Sequence, residues 1–332
     1  LARIKDTDYL SISAGIRVKE NRLLTRERME RMIDARTNED AVKILVECGY
    51  EDLNTVTPAA IDEMLVKARG AVYDDLRSGL PNPALLEVFQ IKYDYHNVKV
   101  LTKSEAMSLP PDRLLVLGGR YPAQALAEAY RKDDLRSYSD RFRRAVEEAK
   151  ELLASSSDPQ LSDFVLDRAY FEEMTALAKD IGSPFLAGYV RLLVDIANLR
   201  SCVRAARMGK GTEFLSQVLL PGGNIDEKSL ASGKSGGVDM AFRTSPLAEA
   251  AALGATLAVP GGDSLTVFER MCDNVLMRYI AAAKRIPFGE HPIIGYLFAR
   301  EAEFTAIRTI LSGRLAGLSA ETIRERLREA YV

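Results

Sequence analysis

Apolar and polar positions recur in one order at three places along the chain. Asn82-Pro83 opens ALLEVFQIKYDYHNVKVL, Ser183-Pro184 opens FLAGYVRLLVDIANLRSC, and His291-Pro292 opens IIGYLFAREAEFTAIRTI. Counted from the proline, offsets +1, +2, +5, +6, +10, +12, +15 and +18 are apolar in all three copies. At helical spacing these positions cover well over half the circumference. That predicts three helices, each buried from at least two sides and central to its domain. Proline suits a first helical position, which needs no amide donor, and Asn82 or Ser183 before it suits an N-cap. His291 is a poorer cap.

Polar residues interrupt the pattern at fixed places. Offset +11 is Asp94, Asp195 and Glu303; +14 is Asn97, Asn198 and Ala306; +16 is Lys99, Arg200 and Arg308. The acid projects into the apolar arc, so it needs a partner, because an unpaired buried charge is costly. Arg191 and Arg300 stand within a turn of Asp195 and Glu303, while Asp94 has only Gln90 there. The base lies roughly 140° round the helix from the acid and points to another neighbour. The candidate site residues are therefore Pro83, Asp94, Asn97, Lys99, Pro184, Asp195, Asn198, Arg200, Pro292, Glu303 and Arg308. Ties between helices are their first role, and contact with a partner protein is the alternative.

Gly118-Gly119 and Gly222-Gly223 follow the first two prolines by 35 and 38 residues. Paired glycines after an apolar run suit a turn, and they place boundaries that give domains 1–117, 118–221 and 222–332. Self-similarity at this period means one structural unit used repeatedly.

Most other segments are helical by their periodicity. Residues 8–24 are amphipathic, Thr25 opens RERMERMIDA, Asn38 opens EDAVKILVECG and Pro58 opens AAIDEMLVKARGAVYDDLRSG. SDRFRRAVEEAKELLA predicts a charged surface helix and SDFVLDRAYFEEMTALAKDIG a longer, more buried one. SLTVFERMCDNVLMRYIAAAKR precedes the third copy, and LSAETIRERLREAYV starts with a capping box at Ser319. No alternating run supports a strand. Residues 221–237 and 259–263 are Gly/Pro-rich and predict exposed, mobile loops. The fold class is all-α.

Composition changes little in this picture. Apolar content of 47%, charge of 28% and a net charge of −2 describe an ordinary globular chain and argue against a general nucleic-acid or lipid-surface binder. Cys48, Cys202 and Cys272 form no disulfide or zinc framework, which points to a reducing cytoplasm. The charged opening stretch does not resemble a secretory leader. The apolar run 250–259 is too short to span a bilayer, so membrane association is expected only through another protein.

Chemical motifs are weak. Gly233-Lys234-Ser235 lacks the first glycine of a phosphate loop, because Lys228 stands there, and no apolar strand precedes it. The Gly-Gly pairs open no βαβ unit. His96 and His291 have no metal-binding companions; His96 is expected to be a hydrogen-bonded packing residue. Asp74-Asp75 and Asp133-Asp134 lack the third acid of a magnesium-diphosphate site. No activated nucleophile emerges. An α-helical enzyme would need a pocket lined by perturbed acids. A helical scaffold that binds some other partner is the second remaining class.

Three segments carry a resemblance: YLSISAGIRVKENRLLTRERMERMIDA, FLAGYVRLLVDIANLRSCVRAARMGKG and PFGEHPIIGYLFAREAEFTAIRTILSGRLAGL. The chain resembles the C subunit of A/V-type rotary ATPases, related to the d subunit of the eukaryotic vacuolar ATPase. The most specific parts are Asp195-x-x-Asn198-Leu199-Arg200 and the closing Tyr296, Glu301, Glu303, Ile307 and Arg308. The resemblance implies three similar helical domains with pseudo-threefold symmetry in a funnel. It implies a non-catalytic central-stalk subunit, a socket between the shaft subunits D and F and the membrane proteolipid ring. It implies torque transmission coupling ATP hydrolysis or synthesis to proton or sodium transport, with no nucleotide, metal or other cofactor. The protein would be cytoplasmic, peripheral to the membrane through the complex. Ala306 departs from the first two copies.

Overall fold

The computed structural model describes residues 4–111, 114–233 and 236–332. It is 72% helical, and the described residues contain no strand. In chain order the helices are α1 Leu10–Glu20, α2 Arg26–Asp34, α3 Asn38–Glu47, α4 Pro58–Gly79, α5 Ala84–Met107, α6 Ala123–Lys132, α7 Asp140–Ser156 and α8 Pro159–Ile181. They continue as α9 Pro184–Arg207, α10 Thr212–Val218, α11 Glu227–Ala231, α12 Val238–Phe242, α13 Ala248–Leu257, α14 Thr266–Ala281, α15 Glu290–Leu315 and α16 Ala320–Arg326. The three repeated segments are α5, α9 and α15.

Two compact units form. One contains residues through Asn82, Ala206–Gly209 and Gly236–Val332. The other contains Pro83–Ala205 and Lys210–Ser235. In the first unit, α15 packs against α1, α2, α3, α4, α14 and α16. Phe304, Ile307, Ile310 and Leu311 on α15 share one core with Met29, Met32, Ile33, Val42, Leu45, Ile61 and Leu65 from α2–α4. The apolar face of each short helix has no other place to go, since an amphipathic helix gains its stability by burying that stripe. In the second unit, α5 packs against α6, α7 and α8, with α7 laid along α8. Edge-to-face contact of Tyr95 with Phe142, centroids 5.3 Å apart, fixes α5 against α7.

Helix starts follow side-chain chemistry. Thr25, Thr37 and Thr57 each accept the backbone N–H three residues on, at 3.2, 3.1 and 3.2 Å. Ser183 Oγ accepts from Leu186 N at 3.0 Å, with Pro184 as the first helical residue, as the sequence predicts. The other two prolines sit differently. Pro83 is itself the N-cap of α5. The third copy begins at Glu290 after Gly289, whose φ of 100° favours glycine, so His291 and Pro292 lie inside the first turn. Proline is tolerated there because the first four amides have no partner within the helix.

Other corrections are local. The predicted helix over 8–24 is a 3₁₀ turn, Asp6–Tyr9, followed by α1, which stops at Glu20. The last helix stops at Arg326, and Ser319 caps it through Thr322 N at 3.2 Å, with no return bond from a glutamate. The loop over 221–237 carries α11, whose Leu230 is buried. The loop over 259–263 is tied down: the carbonyls of Gly262 and Asp263 accept from Arg207 at 2.7 and 2.5 Å.

Candidate functional site

The predicted acids are all buried: Asp94, Asp195 and Glu303 are 0%, 1% and 4% exposed. Their partners reveal one arrangement used three times. Asp94 Oδ1 accepts from Tyr121 N at 3.3 Å. Asp195 Oδ1 accepts from Asn224 N at 2.8 Å and Ile225 N at 3.1 Å. Glu303 Oε2 accepts from Leu24 N at 2.6 Å. Tyr121, Ile225 and Leu24 are each the residue just before the N-cap of a helix: Pro122 of α6, Asp226 of α11 and Thr25 of α2. In every copy, the acid of the repeated helix holds the amide that leads into another helix. A carboxylate accepting backbone N–H bonds satisfies donors that a buried loop would otherwise leave orphaned.

The paired glycines are part of this clamp. A Cβ on Gly119 would fall 2.1 Å from Asp94 Oδ1, and one on Gly223 would fall 2.3 Å from Asp195 Oδ1. The preceding Gly118 and Gly222 take φ of 115° and 94°. One glycine turns the chain and the next lets the carboxylate touch backbone. In the third copy, Arg22 stands at the place of Gly119 and Gly223, and the acid is glutamate. Its extra methylene spans the stand-off that a side-chain-bearing loop requires.

The asparagines brace the same loops. Asn97 donates to Val116 O at 2.9 Å and accepts from Val116 N at 2.8 Å. Asn198 does the same with Leu220, both bonds 2.8 Å long. Val116 and Leu220 lie five residues before Tyr121 and Ile225. The residue five before Leu24 is Lys19, which is inside α1 and whose carbonyl already accepts from Arg22 N at 3.0 Å. No free backbone pair exists there for an asparagine, which accounts for Ala306.

Each acid has distinct side-chain company. Arg120 Nε donates to Asp94 Oδ2 at 2.7 Å, and its Nη1 donates to Glu173 Oε1 at 2.7 Å. Tyr95 donates its hydroxyl proton to Glu173 Oε2 at 2.8 Å. Arg120 Nη2 is buried without a hydrogen bond among the described residues. Asp195 receives Asn224 Nδ2 at 2.7 Å. Glu303 receives Arg300 Nη1 at 2.6 Å and the hydroxyl of Tyr50. Arg300 also lies over the rings of Tyr50 and Phe304, at 5.1 and 5.0 Å. The expected Arg300–Glu303 pair therefore forms, whereas Arg191 is exposed and acts on Asp195 only through space. Burial pushes Asp94 up to about 6, with the Arg120 bonds pulling the other way. Burial also raises Asp195, against the bonds from Asn224 and Ile225.

The bases reach neighbouring helices. Lys99 pairs with Asp167 on α8, and Arg308 Nη2 meets Asp62 on α4 at 2.7 Å. Arg200 is half-buried on α9. His96 is hydrogen-bonded as expected, to the Leu114 backbone, but its side chain lies exposed rather than packed. Asp75, Asp133 and Asp134 pair with Lys19, Lys150 and Arg136 as surface ion pairs. Among the described residues no group of three His, Cys, Asp or Glu converges as a metal site. Lys234 and Ser235 of the Gly233-Lys234-Ser235 segment lie outside the described residues.

Sequence reasoning missed Arg120, Glu173, Tyr95, Asn224 and Tyr50. The first and fourth had a signal: each directly follows a Gly-Gly pair.

The arrangement defines a class: an all-α protein in which a recurrent central helix fastens helix-leading loops through buried carboxylates. The sequence profile of the ATP synthase (C/AC39) subunit family matches residues 12–326, and the chain belongs to that family. It is 24% identical to the C subunit of the V-type sodium ATPase of Enterococcus hirae, over 98% of this chain and 99% of that one. The C subunit of the A-type ATP synthase of Methanocaldococcus jannaschii is 24% identical over 96% of this chain and 86% of its own length. That of Thermococcus kodakarensis is 23% identical over 97% and 90%.

Proposed function

We propose that the chain is a central-stalk component of a V/A-type rotary ATPase, a socket that joins the shaft to the membrane proteolipid ring and passes torque between them. The observation that carries this reading is the family match over residues 12–326. The clamps support it physically. A torque-bearing part must resist shear at its loops, and a loop amide held by a buried carboxylate resists displacement more than a solvated turn does. Three similar domains, 1–117, 118–221 and 222–332, belong to the proposal, as do the shaft subunits D and F as partners. No helix among the described residues is long and apolar enough to cross a membrane. In this reading, attachment at the cytoplasmic face runs through the ring. The chain supplies no reacting group; ATP is handled in a separate head. Of the sequence-predicted positions, Lys99, Arg200 and Arg308 are the candidates for partner contact.

Reconstitution with and without this chain tests the proposal. ATP hydrolysis by the head should persist without it, while ion movement per ATP collapses. Ion pumping that keeps its normal ratio to hydrolysis after removal overturns the socket reading.

A further inference from the structure

Helices α2–α4 have their central helix elsewhere in the sequence. The bonds that hold them to α15 and α16 span long separations: Leu24 to Glu303 is 279 residues, Ile33 to Arg314 is 281, and Glu30 to Arg324 is 294. Arg314 ties the end of α2 to the entry of α3, donating to the carbonyls of Ile33, Ala35 and Thr37 at 2.6, 2.9 and 3.0 Å. The apolar faces of α2, α3 and α4 meet Phe304, Ile307, Ile310 and Leu311 in one core. By contrast, α5 finds its acid's loop 27 residues downstream, and α6–α8 follow directly.

From this we infer that the chain folds from its middle outward. Residues 84–181 consolidate first, and α2–α4 acquire stable structure only when α15 reaches them. Two physical facts drive this order. Closing a long loop costs more entropy than closing a short one, and short helices without a packing partner are marginal in water. Until α15 docks, Met32, Ile33, Val42, Leu45 and Leu65 have only one another, and the side that Phe304, Ile307, Ile310 and Leu311 cover stays open. A chain stopped before α15 therefore exposes that face and cannot offer the first unit to a partner. Packing within one unit sets this order, independently of the rotary reading.

Refolding of the full chain from urea with pulsed deuterium labelling tests it. Peptides from 84–107 and 140–181 should gain protection early. Those from 26–47, 58–79 and 290–315 should gain it later, together and at one rate. Protection of α2–α4 at the early rate, or before α15, overturns the inference. In the native full chain, Glu303→Gln should raise exchange about tenfold across 26–79 and 290–315 alike, leaving 84–181 unchanged. An increase confined to residues 22–26 contradicts it.

Discussion

The Asp94 and Glu303 clamps do one job with different parts. Both accept the amide that precedes an N-cap. Asp94 takes a nearby loop, touches backbone through Gly119, and shares Arg120 with a second acid, Glu173. Glu303 takes a distant loop that lacks the glycines and is the one carboxylate that Arg300 pairs with among the described residues. A repeat can thus keep its receptor, the amide, while the reach of the acid, the turn and the countercharge are exchanged together. The comparison also separates the repeat in sequence from the packed unit. α5 ends the first third of the chain by position but packs with α6–α8, and α15 in the last third packs with α2–α4.

The largest expected effect breaks the comparison at its countercharge. Glu303→Ala leaves Arg300 buried without a carboxylate and should cost about 3–5 kcal/mol in urea melts. Asp94→Ala leaves Arg120 still paired with Glu173, so the loss should be about 1.5–3 kcal/mol. Equal losses would show that Arg300 is not the element that distinguishes the two clamps. Asp195 has no buried cation, only amides and Asn224, and Asp195→Ala should cost about 1–3 kcal/mol, with Asp195→Asn costing less.

Next comes the close approach. Gly119→Ala drives a methyl into Asp94 and should destabilise by about 1–3 kcal/mol. Gly223→Ala should behave alike. A neutral result at either position would show that the loop yields and that glycine serves only the turn.

The pH dependence sharpens the comparison further. Asp94 is raised to about 6 in the folded chain from an ordinary 3.8. Between these values the folded state holds a proton that the unfolded state has released, so this group's contribution to stability falls as pH rises through the window. Subtracting Asp94→Asn melts from wild-type melts should isolate a negative slope there; a flat or positive difference contradicts the assignment. Arg120 and Glu173 are the charged groups that act on Asp94 most, Tyr95 and Tyr138 also face it, and all four must be kept intact in the comparison.

The smallest effect belongs to Arg308. Its pair with Asp62 is half exposed, so Arg308→Ala should change stability by less than about 1 kcal/mol.

The central helices and the burial of their acids were legible in the sequence, because offset and period decide which face is covered. What each acid binds was not. The main receptor is a backbone amide, which leaves no residue type to recognise, and for Glu303 it lies 279 residues upstream. Glycine pairs announced a turn, yet their second role, admitting a carboxylate, needs the distance from Gly119 to Asp94. Ala306 looked like a lapse in the third copy until Lys19 proved to be helical, leaving nothing for an asparagine to bond.

Amide exchange resolved at single residues tests the central claim most directly. If one clamp is used three times, the N–H groups of Tyr121, Ile225 and Leu24 should all exchange as slowly as core helix amides, and substitution of the matching acid should release only its own loop amide or, for Glu303, the whole unit it closes. Fast exchange at any of the three in the intact protein would contradict it.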